Sequence, residues 1–591
     1  MSRSFTLSLL LITLLALSCR TAEKAFNSEI TQPDLKNHIQ FLASDDLKGR
    51  KPGTIEDRLA AKYIKDAFQK DGLKLLGERG YQFFTFIQEQ QLGHCSFSLG
   101  DSIQPELGKD YTLFPFSGSD SISSEVVFVG YGFSIKTRND YESVNTKGKW
   151  VLMLRGNPEA DTTGNPYEQY SADRVKALTA KEIGAKGVIM VSGSKFDKDD
   201  ALVDPLSKDY SVNIPVIQVS RKLANAILKE TGKTIEELEQ EISVKPIATS
   251  IELKKVIAAT AILNSKQEKT QNIVALLEGH DPILKNEYII IGGHYDHLGM
   301  GGPNSSSRRQ DTIAVHNGAD DNASGIAAML EIAHKMAKEQ KSIKRSIVFV
   351  AFAGEELGLL GSKYFVNTQL VDLTKAQAMV NLDMVGRLNK ERVLQVGGVG
   401  SSNIGLDLLL ATPNPDSLKL VTSPEGYGPS DHASFYGKNI PVYFFSTGAH
   451  LDYHTPFDDA DRLNFEGLKS TTDLVYNLSL SLANAPNKLV FKEAGPKAGN
   501  YSRSKKFKVT LGIMPDVSGQ SNNGLRADLV TAGKPAARGG MQNGDVIVSI
   551  DGKAVNNIQD YMVRLSTLKE GQTISVEVVR NTERKILIIK L

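Results

Sequence analysis

Seven of the ten histidines lie between His294 and His454, interleaved with carboxylates. The segments that could do chemistry are Gly293-His294-Tyr295-Asp296-His297, Asn317-Gly318-Ala319-Asp320-Asp321-Asn322-Ala323-Ser324-Gly325, Gly354-Glu355-Glu356, Asn381-Leu382-Asp383 and Tyr453-His454-Thr455-Pro456. Imidazole and carboxylate donors without a thiol suit a hydrolytic metal site, with zinc the first choice. Such a site makes a nucleophile of water at neutral pH, because a metal lowers the pKa of bound water from about 15.7 towards about 7. Two ions about 3.5–4 Å apart can share it, and a bridging carboxylate holds the pair together. A neighbouring unligated glutamate can take the proton and pass it to a leaving amine.

The elements that must position these groups are short apolar runs: Tyr288–Ile291, Ile347–Phe352, Ala378–Leu382 and Val442–Phe445. Continuous apolar runs of this length fit strands buried on both faces of a parallel sheet. Each is followed by polar residues, so four strands would deliver His, Glu and Asp to one edge, where open α/β sheets carry their chemistry. Ile326, Met329, Leu330, Ala333 and Met336 form the stripe of a helix after Gly325. Asp320 or Asp321 could simply cap it, but a cap needs one acid and leaves the rest of the polar run unexplained. Adjacent acids at a strand end point apart, so one of Glu355 and Glu356 can hold metal while the other receives a proton. They would also suit a helix start. Gly301-Gly302 and Gly397-Gly398 read as turns, and no P-loop or nucleophile-elbow serine is present.

At 591 residues the chain is too long for one core. A net charge of +1 argues against a nucleic-acid partner, and 41% apolar with 23% charged residues is ordinary globular composition. Arg3 followed by the apolar stretch Phe5–Leu17 reads as a signal segment, too short for a comfortable membrane span. Leu15-Ala16-Leu17-Ser18-Cys19 resembles a bacterial lipobox, with a plain secretory signal as the alternative. The expectation is an exported, membrane-anchored lipoprotein facing the periplasm or cell surface. If Cys19 carries lipid, Cys95 has no intrachain partner and disulfides contribute nothing. Helical spacing over Asp34–Gly72 is broken by the loop Leu47–Thr54, and a further helix is expected over Asp173–Ile183. Composition divides the remainder into a catalytic-looking part at 256–485 with a preceding segment at 26–110, an insert at 111–255 without an acid/base cluster, a linker at 486–505 and a small unit at 506–591. Asp551-Gly552 is a two-residue hairpin turn within that last unit.

In order and context, the five segments resemble the co-catalytic di-zinc aminopeptidases, of the aminopeptidase Y/S-like kind. The resemblance implies an α/β fold: a mostly parallel sheet flanked by helices, with two Zn²⁺ per chain. It implies that His294 and Asp383 hold one zinc, that Glu356 and His454 hold the other, and that Asp321 bridges them. Glu355 would be the general base, Asp296 would orient His294, and Tyr453 would steady the tetrahedral oxyanion. Ser430-Asp431-His432 matches a supporting segment, while His297, His316 and His450 read as loop or supporting residues. The insert, with Gly130-Tyr131-Gly132, Lys147–Val151 and Gly184–Val188, resembles a protease-associated domain. Residues 506–591 resemble a PDZ domain, in which Leu511-Gly512-Ile513-Met514 would capture a peptide C-terminus. The function implied is removal of N-terminal residues from peptides by metal-activated water. The rivals are a di-zinc carboxypeptidase and a non-catalytic peptide-binding lipoprotein that works through its PDZ-like domain.

Overall fold

The computed structural model describes residues 29–495 and 509–591, apart from 101–103, 160–164, 168–169, 208, 210, 245–249, 304, 516–523, 532, 556–559, 562–563 and 566–567. The signal segment with Cys19, and linker residues 496–505, therefore lie outside the described residues. Two compact units emerge: Met1–Phe84 with Lys269–Leu591, and Thr85–Glu268.

The first unit is built on a nine-stranded sheet. Its middle is four parallel strands in the order Ser346–Phe352, Tyr288–His294, Ala376–Leu382, Val442–Ser446. Towards the edges the direction reverses: Leu263–Leu277 runs antiparallel to Ser346–Phe352, and Val393–Gly397 antiparallel to Val442–Ser446. Period-two alternation sends side chains of each central strand to opposite faces. Ile289, Ile291, Ile347, Phe349, Val380 and Leu382 enter one core; Ile290, Val348, Val350, Met379 and Val442 enter the other. Burying each such side chain contributes about 1.5–3 kcal/mol, so both layers hold the sheet firmly.

The first face is covered by helices Gln32–Leu42, Ile55–Lys70, Gly325–Lys338 and Phe465–Asn484, through Leu35, Ile64, Phe68, Met329 and Leu474. Thr31 and Thr54 cap the first two, each accepting a backbone N–H three residues on. Phe365 and Val366 of Leu360–Asn367, with Phe435 and Tyr436 of His432–Tyr436, cover the second face. The loop expected at Leu47–Thr54 overlaps the tight turn Asp45–Arg50. The helix Gly325–Lys338 departs from a one-sided stripe: Ile326 through Ala333 are all buried.

The unit Thr85–Glu268 holds a seven-stranded sheet in the order Ser96–Ser98, Ser250–Ala261, Asp120–Val129, Trp150–Leu154, Gly187–Val191, Val216–Val219, Tyr111–Leu113. Its helix Asp173–Glu182 falls where spacing placed one, and Trp150 is fully buried with Nε1 donating to the Ile257 carbonyl at 3.1 Å. Cys95 is a free, half-buried thiol. The C-terminal part forms a small sheet of its own around Leu525, Ile547, Val576 and Ile589. There Asp551 (φ +47°) and Gly552 (φ +71°) make the hairpin turn that pairs Ile550 with Lys553. Among the described residues no helix is long and apolar enough to cross a membrane.

Candidate active site

The expected residues converge at the C-terminal ends of the four parallel strands. His294 is the last residue of its strand, Asp383 follows Ala376–Leu382 directly, and Glu355 and Glu356 follow Ser346–Phe352 after a two-residue turn. His454 comes from the loop after Val442–Ser446, and Asp321 from the irregular turn Ala319–Ser324 ahead of Gly325–Lys338. Neither Asp320 nor Asp321 caps that helix: the Asn322 side chain accepts the Gly325 N–H at 3.0 Å, leaving the Asp321 carboxylate for the cleft.

Asp321 stands at the centre. Its Oδ1 is 3.2 Å from His294 Nε2, and its Oδ2 is 3.2 Å from His454 Nε2. His294 Nε2 also lies 3.4 Å from Asp383 Oδ1, and His454 Nε2 lies 3.1 Å from Glu356 Oε2. Donors bound at about 2.0–2.1 Å around a tetrahedral ion stand about 3.3 Å apart. The spacings from 3.1 to 3.4 Å therefore fit two zinc ions that share the Asp321 carboxylate.

His297 also approaches, forming a compact donor group with Asp321 and Glu356. Its Nδ1 is 2.7 Å from Glu356 Oε1 and 3.7 Å from Asp321 Oδ2. The shorter distance is that of a hydrogen bond and too small for two donors on one ion. His297 thus steadies Glu356 by its ring, a contact that a lone histidine three residues beyond His294 did not reveal. The spacing signal available was the shared strand end.

Asp296 makes a different contact from the one expected. The His294 Nδ1 partner is the backbone carbonyl of Asp296, at 3.1 Å, whereas the Asp296 carboxylate lies 3.8 Å away and accepts the Glu355 N–H at 3.1 Å. Tyr453 stacks on the His454 ring, with centroids 3.9 Å apart. His450 approaches Asp320 at 3.2 Å, and His316 bonds Ser307 at 2.8 Å; both support loops rather than offering donors to the cleft. Ser430 accepts from Asn381 at 2.7 Å, and His432 packs against Phe444.

The field in this cleft separates the two adjacent glutamates. Burial, then the negative charges of Glu356, Asp431 and Asp383, raise the Glu355 carboxyl well above the ordinary range against the pull of His294. Burial opposes ionisation of Glu356 too, but His454 and the His297 hydrogen bond bring it down to about 2. Carboxylates pushed apart in this way suit an acid/base group beside a ligand. Asp431, buried beside them, is raised to about 7, first by burial, with a further contribution from Asp383 against the pull of His294. Burial alone lowers His432 to about 3, so it stays neutral.

Gly318 is the backbone hinge of the Asp321 turn. It has φ +55°, and an added Cβ would lie 2.2 Å from the Asp321 carbonyl and 2.6 Å from the His297 ring. Gly318→Ala is therefore expected to displace both residues and lower zinc content. Elemental analysis checks this; an unchanged content would show that the turn tolerates a methyl group.

Comparison with known proteins gives three domain matches: peptidase family M28 over residues 272–479, a PA domain over 122–227 and a PDZ domain over 510–591. The aminopeptidase YwaD of Bacillus subtilis (strain 168) is 27% identical over 401 residues, covering 64% of this chain and 73% of that protein. A probable leucine aminopeptidase of Trichophyton verrucosum is 29% identical over 255 residues, covering 40% of this chain and 64% of its own length. Among solved structures, the aminopeptidase of Aneurinibacillus sp. strain AM-1 overlaps 79% of this chain and 97% of its own, at 24% identity and a TM-score of 0.44. The clustered donors fall within the first of the matched segments, so residues 272–479 carry a peptidase family M28 match, beside a PA domain and a PDZ domain.

Proposed function

We propose that this peptidase is a di-zinc aminopeptidase that removes N-terminal residues from peptides. The observation that carries the reading is that the two oxygens of Asp321 face different histidines, each with its own further carboxylate. On this reading His294 and Asp383 would hold one ion, Glu356 and His454 the other, and Asp321 would serve both. Zinc bound there supplies an acidified water and polarises the substrate carbonyl. Glu355 is placed to accept a proton from the attacking water and would return it to the departing amine, a role suited to a carboxyl raised by burial. Asp296 fixes the Glu355 backbone, so the two glutamates diverge. Tyr453, whose hydroxyl is kept protonated first by burial and then by the surrounding carboxylates, donates to the oxygen on which charge develops. The names of YwaD and the leucine aminopeptidases support action at the N-terminus.

The test is a panel of peptides with free, acetylated or C-amidated ends, with and without chelator. Free-amine substrates, amidated ones included, should be cleaved, acetylated ones spared, and chelator should stop the reaction. Shortening of acetylated peptides from the other end would replace this reading with a carboxypeptidase. Export with lipid on Cys19 is part of the proposal, supported by the Leu15–Cys19 motif. Cys19→Ala should release the protein from membranes, and retention would count against the anchor. Capture of peptide C-termini at Leu511–Met514 is likewise proposed from the PDZ match. Equal binding of amidated and free-acid peptides would refute it.

A further inference from the structure

The turn that presents Asp321 is held from both sides by buried charged groups from distant parts of the chain. Arg50 is 1% exposed. Its guanidinium donates to the carbonyls of Tyr295 at 2.6 Å, Asn317 at 2.6 Å and Gly318 at 3.0 Å, and also to that of Leu42. Among the described residues it has no carboxylate at ion-pair distance. The backbone is bent to deliver it: Lys48, Gly49 and Arg50 all have positive φ, which residues with a Cβ adopt rarely. At Gly49 a Cβ would sit 2.5 Å from the His316 carbonyl and 2.6 Å from that of Gly299, so only glycine lets this turn close in.

From the opposite side comes Asp458, which is fully buried. Its Oδ2 accepts the backbone N–H of Asp320 at 2.9 Å and of Asp321 at 3.0 Å, and its own carbonyl accepts that of Ala319 at 2.9 Å. Arg387 lies 3.3 Å from Oδ1. Carbonyls of Asn317 and Gly318 are thus taken by the guanidinium, and amides of the next three residues by Asp458. Tyr295, whose carbonyl Arg50 also holds, adjoins His294.

We propose that Arg50 and Asp458 are positioning residues for the metal pair, a cradle of opposite charges that fixes His294 against the two oxygens of Asp321. This rests on the reading of His294 and Asp321 as ligands. A lysine ammonium, with three N–H donors at one point, could not serve the four carbonyls that the planar guanidinium serves, so lysine would not replace Arg50. The cradle touches no reacting atom; it acts through the ligands it holds.

Arg345 is the built-in control. It is equally buried and also donates to main-chain carbonyls, those of Leu482, Ala483 and Ala485. It precedes Ser346–Phe352, at the end of the sheet away from the donors.

The experiment uses the full chain stripped of metal and refilled with zinc. Affinity is read by chelator competition, and unfolding of the stripped protein is measured in parallel. Arg50→Met and Asp458→Asn should weaken zinc binding by about 10- to 100-fold, the size of effect that outer supports of a ligand have elsewhere. With zinc saturating, kcat should fall while KM for a small aminoacyl substrate holds, and Arg50→Lys should not rescue either change. Arg345→Met should destabilise the stripped protein and leave zinc affinity intact. Wild-type affinity in both cradle variants, or an equal loss in Arg345→Met, overturns the proposal. If Arg50→Met does not fold, Asp458→Asn decides alone. Failure of the unaltered chain to hold two zinc ions would instead overturn the ligand reading.

Discussion

Asp321→Ala is expected to remove zinc from both positions together and to abolish hydrolysis. One carboxylate faces both histidines at 3.2 Å, so its loss takes a donor from each ion at once. It also leaves His294, Asp383, Glu356 and His454 packed without the charge that holds their spacing. Outer supports alone cost about 10- to 100-fold in metal affinity; a donor shared by two ions should cost more at each. Titration with zinc read by elemental analysis and by rate checks this. A variant that keeps one ion at full affinity would assign Asp321 to a single ion and end the bridging role.

Glu355→Gln carries the second large effect, of a different kind. The amide matches the carboxylate in size and removes only the ability to accept a proton. Zinc content should stay at two, KM should hold, and kcat should fall by about 10²- to 10⁴-fold, the usual contribution of a positioned general base. Glu356, next in sequence, is held low near 2 by His454 and His297 despite burial, and cannot substitute without leaving its place among the donors. A glutamine variant with near-normal kcat would move the proton transfer to another group, with Asp431 the nearest candidate in charge environment.

Much of this arrangement was legible from residues alone, for a physical reason. Strands buried on both faces, such as Tyr288–His294, need apolar side chains at nearly every position, so an acid or histidine at the end of such a run stands out. Three such ends gave His294, the Glu355–Glu356 pair and Asp383, and the turn at Ala319–Ser324 gave Asp321. The structure brings these together with His454. Reversal of strand direction towards the sheet edges left no such mark, because Val393–Gly397 is as apolar as its parallel neighbours.

Three sets of contacts were hidden. His297 reaches Glu356 across 59 positions, and nothing in a loop histidine announces that partner. Asp296 serves His294 through its carbonyl, a group that every residue possesses. Arg50 and Asp458 act on backbone groups across as many as 268 positions, so no pairing of side-chain types betrays them. A charged residue beside Gly49 in a loop looks solvated until its burial is known.

The most direct measurement is an anomalous difference map at the zinc edge from crystals of the refilled protein. Two peaks about 3.5–4 Å apart are predicted, one among His294, Asp321 and Asp383, the other among Asp321, Glu356 and His454. A single peak, or a second one seated on His297 with His454 turned away, would contradict the shared-carboxylate centre.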